Sequence, residues 1–135
     1  LAEPFSAVTP EGRLHKIPCL YEGPDLAAVA VACGLSESEI IHIHSEKEYQ
    51  VYFLGFLPGF AYMGTTDERI TVARKETPVN ISPGDIGLAG NQTGIYPLAS
   101  PGGWQIIGRT TTDLLPDGLP LFQVGDRVRF IPQRS

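Results

Sequence analysis

The chain has 135 residues, 42% of them apolar, with a formal net charge of −5 and as many as 15 glycines and 12 prolines. This length suits one domain that buries about two-thirds of the surface its unfolded form exposes, and the glycine and proline usage excludes a helical bundle in favour of strands joined by specific turns. A pI near 5.1 and ten scattered basic residues argue against nucleic acid or an anionic membrane as partner, since both select clustered Lys and Arg.

No apolar run approaches the roughly 20 residues of a membrane span, and the first ten residues lack a signal-type segment. Cys19 and Cys33 show no CxxC spacing and read as small buried apolar side chains in a reducing compartment. A cytoplasmic protein is expected. The chain begins at Leu1 and its sole methionine is Met63, so it reads as processed or as a piece of something longer.

In chain order, residues 1–13 read as a lead-in rich in Pro, Glu and Gly. Residues 13–21, RLHKIPCLY, alternate as a strand. Gly23 and Pro24 then mark a helix start with proline in the first turn. Leu26, Val29, Ala30 and Cys33 recur at helical spacing, and Gly34 suits a left-handed C-terminal residue. Ser36 and Glu39 form a capping box for a short second helix over 37–44. Apolar residues at both odd and even positions from 51 to 57 predict a strand covered on both faces, ending in a turn at Pro58 and Gly59. Further strands are expected at 69–72, 80–81, 86–89, 95–98, 104–111 and 127–132, which is a barrel or sandwich spacing.

His42 and His44 diverge by roughly 200° on a helix, which disfavours joint metal binding. His42 reads as a complement to the helix dipole. For His44, just before the long strand, that reading and a functional one stay balanced. Asp85, Asp113, Asp117 and Asp126 each sit at a predicted turn, where aspartate satisfies backbone N–H groups. The motifs GxSxG, GxxxxGK[ST] and GxGxxG are absent.

Two stretches remain. Residues 55–64, GFLPGFAYMG, crowd Phe56, Phe60 and Tyr62 around a Pro-Gly turn, as core or as the apolar wall of a pocket. Residues 90–109, GNQTGIYPLASPGGWQIIGR, hold five glycines, two prolines and the only tryptophan. Gln92, Thr93, Tyr96, Ser100, Gln105 and Arg109 supply polar groups there. A hairpin corner and a ligand loop fit equally well.

The runs HSEKEYQVYFLGFLPGFAYMG, ISPGDIGLAGNQTGIYPLASPGGWQIIGRT and VGDRVRFIP closely resemble the B subunit of bacterial 5-oxoprolinase. That family includes sporulation-kinase inhibitor proteins and subunit one of allophanate hydrolase, and a related region lies in the carboxyltransferase part of urea carboxylase. The resemblance implies a mainly-β fold, a cyclophilin-like barrel over residues 14–135 with two short helices near its N-terminus. Residues 1–13 would be the remnant of a preceding α+β domain. It also implies a homologous partner barrel subunit, a further subunit, and ATP used by the complex to open a lactam.

By position, the family's histidine falls on His44, its GFxPGFxYLG run on residues 55–64, its Gln-Thr-Gly and Tyr-Pro elements on Gln92, Thr93, Gly94, Tyr96 and Pro97, and its SPGGW and IGRT elements on residues 100–104 and 107–110. The chain departs in ARKETPVNISPG, which keeps Arg74 but has Val79 where a second arginine is common. The expectation is a hydrolase subunit, inactive alone, contributing one wall of a composite site for a small amide, lactam or ureide. His44 would transfer protons with a pKa near the working range. Gln92, Thr93, Tyr96 and Arg109 would orient a carbonyl or carboxylate, Phe60, Tyr62 and Trp104 would exclude water, and Arg74 would meet an anion. The rival is a regulatory module that blocks a histidine kinase, or an allophanate hydrolase or urea carboxylase type of subunit.

Overall fold

The computed structural model describes residues 12–134, so nearly all of the expected lead-in lies outside the described residues. Strand β1 (Leu14–Leu20) is followed by helices α1 (Leu26–Cys33) and α2 (Glu37–Ser45), then β2 (Glu48–Leu54), β3 (Ala61–Gly64), β4 (Val79–Ile81), β5 (Asp85–Ala89), β6 (Gln92–Ile95), β7 (Ser100–Gly102), β8 (Gln105–Arg109) and β9 (Arg127–Gln133). Seven strands close a barrel in the order β1, β8, β5, β6, β3, β2, β9. Only the β9–β1 seam is parallel, while β4 and β7 pair as a separate ribbon. The expected cyclophilin-like barrel with two short helices is the fold observed.

Alternation decides which side chains fill the barrel. In β1, His15, Ile17 and Cys19 point inward, and in β2 Tyr49 and Val51 do the same. They meet Met63, Ile86, Leu88, Ile95, Ile107, Val128 and Phe130 in one core, onto which α1 and α2 pack through Leu26, Val29, Ile40 and Ile43. Asp126 accepts backbone N–H groups of Arg13 and Gln123 and the His15 ring, tying the start of β1 to the turn before β9.

Several local expectations are corrected. Pro24 does not enter the first turn of α1, whose N-cap is Asp25. The Asp25 carboxylate does not cap that helix either, because it accepts from Ile106 N–H and pairs with Lys75, both at 2.7 Å. Gly34 closes α1 at φ 69°, and the Ser36–Glu39 capping box opens α2, as expected. Strand β2 ends at Leu54 and is not covered on both faces, since Tyr52 and Phe53 point to solvent around a register shift between Val51 and Phe53. The expected strand at 69–72 is a turn of 3₁₀-helix, Glu68–Ile70, because Asp67 accepts the Arg69 N–H and binds its guanidinium. Pairing in β6 begins at Gln92, directly after a tight turn at Gly90, so the strand ends at Ile95, the first residue of the stretch expected to carry it.

A second apolar cluster sits outside the barrel. Phe60, Ile81, Ala89, Tyr96, Trp104 and Ile106 pack on the outer face of β3, β6, β5 and β8 under the β4–β7 ribbon. The paired glycines Gly87 and Gly94 make room for it. A Cβ on Gly94 would lie 3.0 Å from Phe60 Cζ, and one on Gly87 3.0 Å from Trp104 Cβ. The barrel thus carries a packed layer where a smooth outer sheet would otherwise face water.

Candidate functional site

That external layer forms the floor of a cleft of about 520 Å³, lined by Tyr62, Ala73, Arg74, Ala89, Gly90, Asn91, Gln92 and Trp104. Its floor is held by edge-to-face ring contacts centred on Phe60, with centroids 4.9 Å from Tyr62, 5.1 Å from Tyr96 and 5.3 Å from Trp104. Such packing fixes ring orientation more tightly than aliphatic side chains do.

One side of the cleft is a strap, residues 72–75. Gly90 N–H donates to Val72 O at 2.6 Å, Gln105 Nε2 to Ala73 O at 3.1 Å, and Lys75 N–H to Gly103 O at 2.7 Å. The strap abuts the turn between β5 and β6, where Gly90 adopts φ 57° with open space in place of a side chain. Arg74 projects from the strap, and no carboxylate among the described residues pairs with it. Gln92, at the start of β6, bonds through its amide nitrogen to the Tyr52 hydroxyl.

Adjacent residues of a strand face opposite ways, which separates Gln92 from Thr93. Thr93 is fully buried in the barrel, where its hydroxyl donates to Gly87 O at 2.8 Å. With that proton used, Thr93 Oγ1 accepts from His44 Nε2 at 3.0 Å. His44 Nδ1 is left to accept from the Tyr21 hydroxyl at 2.6 Å. The ring stacks on Phe130 at 4.6 Å. Burial drives the His44 pKa down to about 3, so the expected value near the working range does not hold and the imidazole is neutral. Its bland alternative fails too: the side chain does not reach the helix end but enters the core, whereas exposed His42 lies 3.3 Å from Glu46.

Of the residues singled out in the sequence, the cleft gathers Tyr62, Arg74, Gln92 and Trp104 on its surface. Phe60 and Tyr96 lie beneath it, fully buried. His44 and Thr93 belong to the barrel interior. Arg109 is exposed at the end of β8, opposite Leu20 and Asp85, and is not among the lining residues. Asn91, Ala73 and Tyr52 were not anticipated. Asn91 adjoins Gln92 in sequence and could have been read with it, whereas Tyr52 reaches Gln92 only through strand pairing.

The cleft offers one cation, two side-chain amides and an aromatic floor, which suits orientation and charge stabilisation of a small carbonyl or carboxylate compound. Among its lining residues there is no cysteine, serine or histidine. Cys19, in the barrel interior, has its thiol pushed up to about 12 by burial, which makes it a poor nucleophile. Among the described residues no group of three His, Cys, Asp or Glu side chains could hold a metal ion, and no single helix is long and apolar enough to cross a membrane.

Fold and cleft together define a closed β-barrel domain with an external aromatic site under a strap and a ribbon. Residues 1–117 match the family described as carboxyltransferase domain, subdomain C and D, and the chain belongs to that family. It is 48% identical to the B subunit of 5-oxoprolinase from Escherichia coli O157:H7 over 98% of this chain and 64% of that protein. The B subunit of 5-oxoprolinase from Bacillus subtilis (strain 168) is 46% identical over 88% of this chain and 52% of its own length. This chain thus spans between half and two-thirds of these relatives. A conserved uncharacterised protein of Pyrococcus horikoshii has a solved structure that superposes with a TM-score of 0.86 at 42% identity, covering 99% of this chain and 64% of that one. The urea amidolyase of K. lactis, 18% identical with a TM-score of 0.76 over 91% of this chain and 10% of its own, shares the fold.

Proposed function

We propose that this domain is part of the B subunit of an ATP-dependent 5-oxoprolinase, and that its external cleft is one wall of the site where the lactam of 5-oxoproline is opened to glutamate. The observation that carries this is the convergence on one cleft of Arg74, which has no carboxylate partner among the described residues, the Gln92 amide and an aromatic floor, in a chain nearly half identical to proteins of that name. Arg74 would pair with the substrate carboxylate. Gln92 would hydrogen-bond the lactam, and Tyr62 and Trp104 would cover its ring and exclude water.

The cleft lacks a nucleophile of its own, so the reacting groups and ATP would come with the partner barrel subunit and a further subunit. Phe53 and Phe56, 55% and 60% exposed beside the cleft, are the apolar surface nearest to where a partner would close it. A cytoplasmic setting goes with this reading. His44 and Thr93 hold the barrel together and do not transfer protons, and Arg109 has no part in binding. The concave polar cleft favours an enzyme over a kinase-docking module, which would present a flat apolar patch.

The test is ATP-dependent glutamate release from 5-oxoproline by the full-length protein assembled with its partners. Arg74→Ala and Gln92→Ala should each lower kcat/KM roughly tenfold to a hundredfold, the range for losing a charged or amide hydrogen bond in a shielded site. Unchanged turnover in both would remove this cleft from the reaction.

A further inference from the structure

The outer face of the barrel beside the cleft holds an arrangement that the binding residues alone do not explain. Gln50, Gly64 and Gln92 form one row across β2, β3 and β6. Tyr52 lies two residues beyond Gln50 on β2, and its ring crosses β3 over Gly64. A Cβ on Gly64 would meet Tyr52 Cε1 at 3.3 Å. The missing side chain lets the ring lie flat across the strand, and the hydroxyl reaches Gln92 on the far side, accepting from its Nε2.

In this arrangement the amide nitrogen faces Tyr52, whose hydroxyl accepts from it. With Nε2 engaged by Tyr52, Oε1 remains, and no group among the described residues hydrogen-bonds it. A primary amide held by its nitrogen presents an acceptor, which recognises a donor. The tyrosine is 46% exposed and packs into neither apolar core, so its hydroxyl contact does not serve the barrel interior.

We propose that Tyr52 is a positioning residue for this site: it turns Gln92 so that the cleft presents a carbonyl acceptor and selects substrates that carry an amide N–H. This rests on the assignment of the cleft to substrate binding. The selected class is a lactam or amide with a free N–H beside a carboxylate, the carboxylate going to Arg74. An N-alkylated lactam of the same shape lacks the donor and leaves Oε1 unpaired, a loss that binding sites built around a hydrogen bond penalise heavily.

The experiment uses the full-length protein in its assembled complex, with 5-oxoproline and N-methyl-5-oxoproline as paired substrates and thermal unfolding as a control. Tyr52→Phe keeps the ring and removes the hydroxyl. We expect unchanged unfolding, a KM for 5-oxoproline raised roughly three- to tenfold, and a smaller preference over the N-methyl compound. Gln92→Ala should erase most of that preference, and adding Tyr52→Phe to it should change nothing more. If Gln92→Ala lowers turnover while Tyr52→Phe leaves KM and preference at parental values, the positioning role is wrong and the cleft assignment stands. If Gln92→Ala has no effect, the positioning role fails, and if Arg74→Ala has none either, the cleft assignment fails with it. A KM effect of Tyr52→Phe that persists in the Gln92→Ala background also overturns the proposal, because the tyrosine then acts by another route.

Discussion

Thr93→Val tests whether the His44 network is architecture or machinery. Valine has nearly the volume of threonine, so the barrel stays filled, but the hydroxyl that accepts from His44 Nε2 at 3.0 Å and donates to Gly87 O at 2.8 Å is gone. Gly87 O retains its strand partner in the β5–β6 ladder. The His44 N–H retains nothing, since its other nitrogen already accepts from Tyr21 and the residue is fully buried. Leaving one such donor unpaired costs about 1–3 kcal/mol. For a domain of this size each kcal/mol lowers Tm by about 4 °C, so a fall of roughly 4–12 °C is expected in thermal unfolding followed by circular dichroism. Turnover of the assembled complex, assayed well below the new Tm, should stay close to the parent. A variant as stable as the parent but severely impaired in turnover would refute the argument and return His44 and Thr93 to the chemistry.

Three further outcomes follow from the same geometry. The His44 pKa is depressed from 6.5 to about 3 in the folded state, so the unfolded chain binds the extra proton between those values. Stability attributable to it is complete above pH 6.5 and is lost as pH falls towards 3, with a slope approaching about 1.4 kcal/mol per pH unit in urea titrations. A His44→Gln variant that keeps the parent's full slope would show that other groups are responsible. Gly94→Ala places a methyl 3.0 Å from both Phe60 Cζ and Ala61 O, and should destabilise by about 1–3 kcal/mol while disturbing the Trp104 fluorescence of the cleft floor. An unaltered emission spectrum and Tm would mean that the ring layer yields freely. Ser36→Ala removes one half of the capping box on α2 and should cost about 1 kcal/mol in denaturant unfolding, with no effect on ligand affinity.

Much of the fold was legible in short stretches because its causes are short. Alternation over residues 14–20, the Ser36–Glu39 box and the left-handed Gly34 each depend on neighbours within a turn, and each appears as expected. The elements misplaced were those with a distant cause. Pro24 reads as part of the first turn of α1, yet that helix starts after Asp25, whose carboxylate is held by Ile106 and Lys75 from across the chain. The run over residues 51–57 reads as doubly covered, but nothing in its own composition reveals that β2 keeps a solvent face at Tyr52 and Phe53.

The candidate site divides in the same way. Sequence pattern and resemblance together marked residues 90–109 as a place where glycine lets backbone and rings come close, and the Gly87–Gly94 hollow filled by Phe60 and Trp104 gives that closeness a cause. Which polar groups share one cleft was decided only by tertiary structure. Gln92 and Thr93 are neighbours in the chain, but the two-residue period of a strand sends one to the outer cleft and the other to His44 inside the barrel. Arg74 joins Gln92 because the strap is pinned to Gly90 and Gly103, and Tyr52 reaches it because β3 lacks a side chain at Gly64. The sequence by itself determined the strand-rich class, the caps and the aromatic inventory through local pattern, and its family resemblance supplied the barrel. Membership of the cleft depends on register between strands far apart in the chain, and that became visible only in the folded molecule.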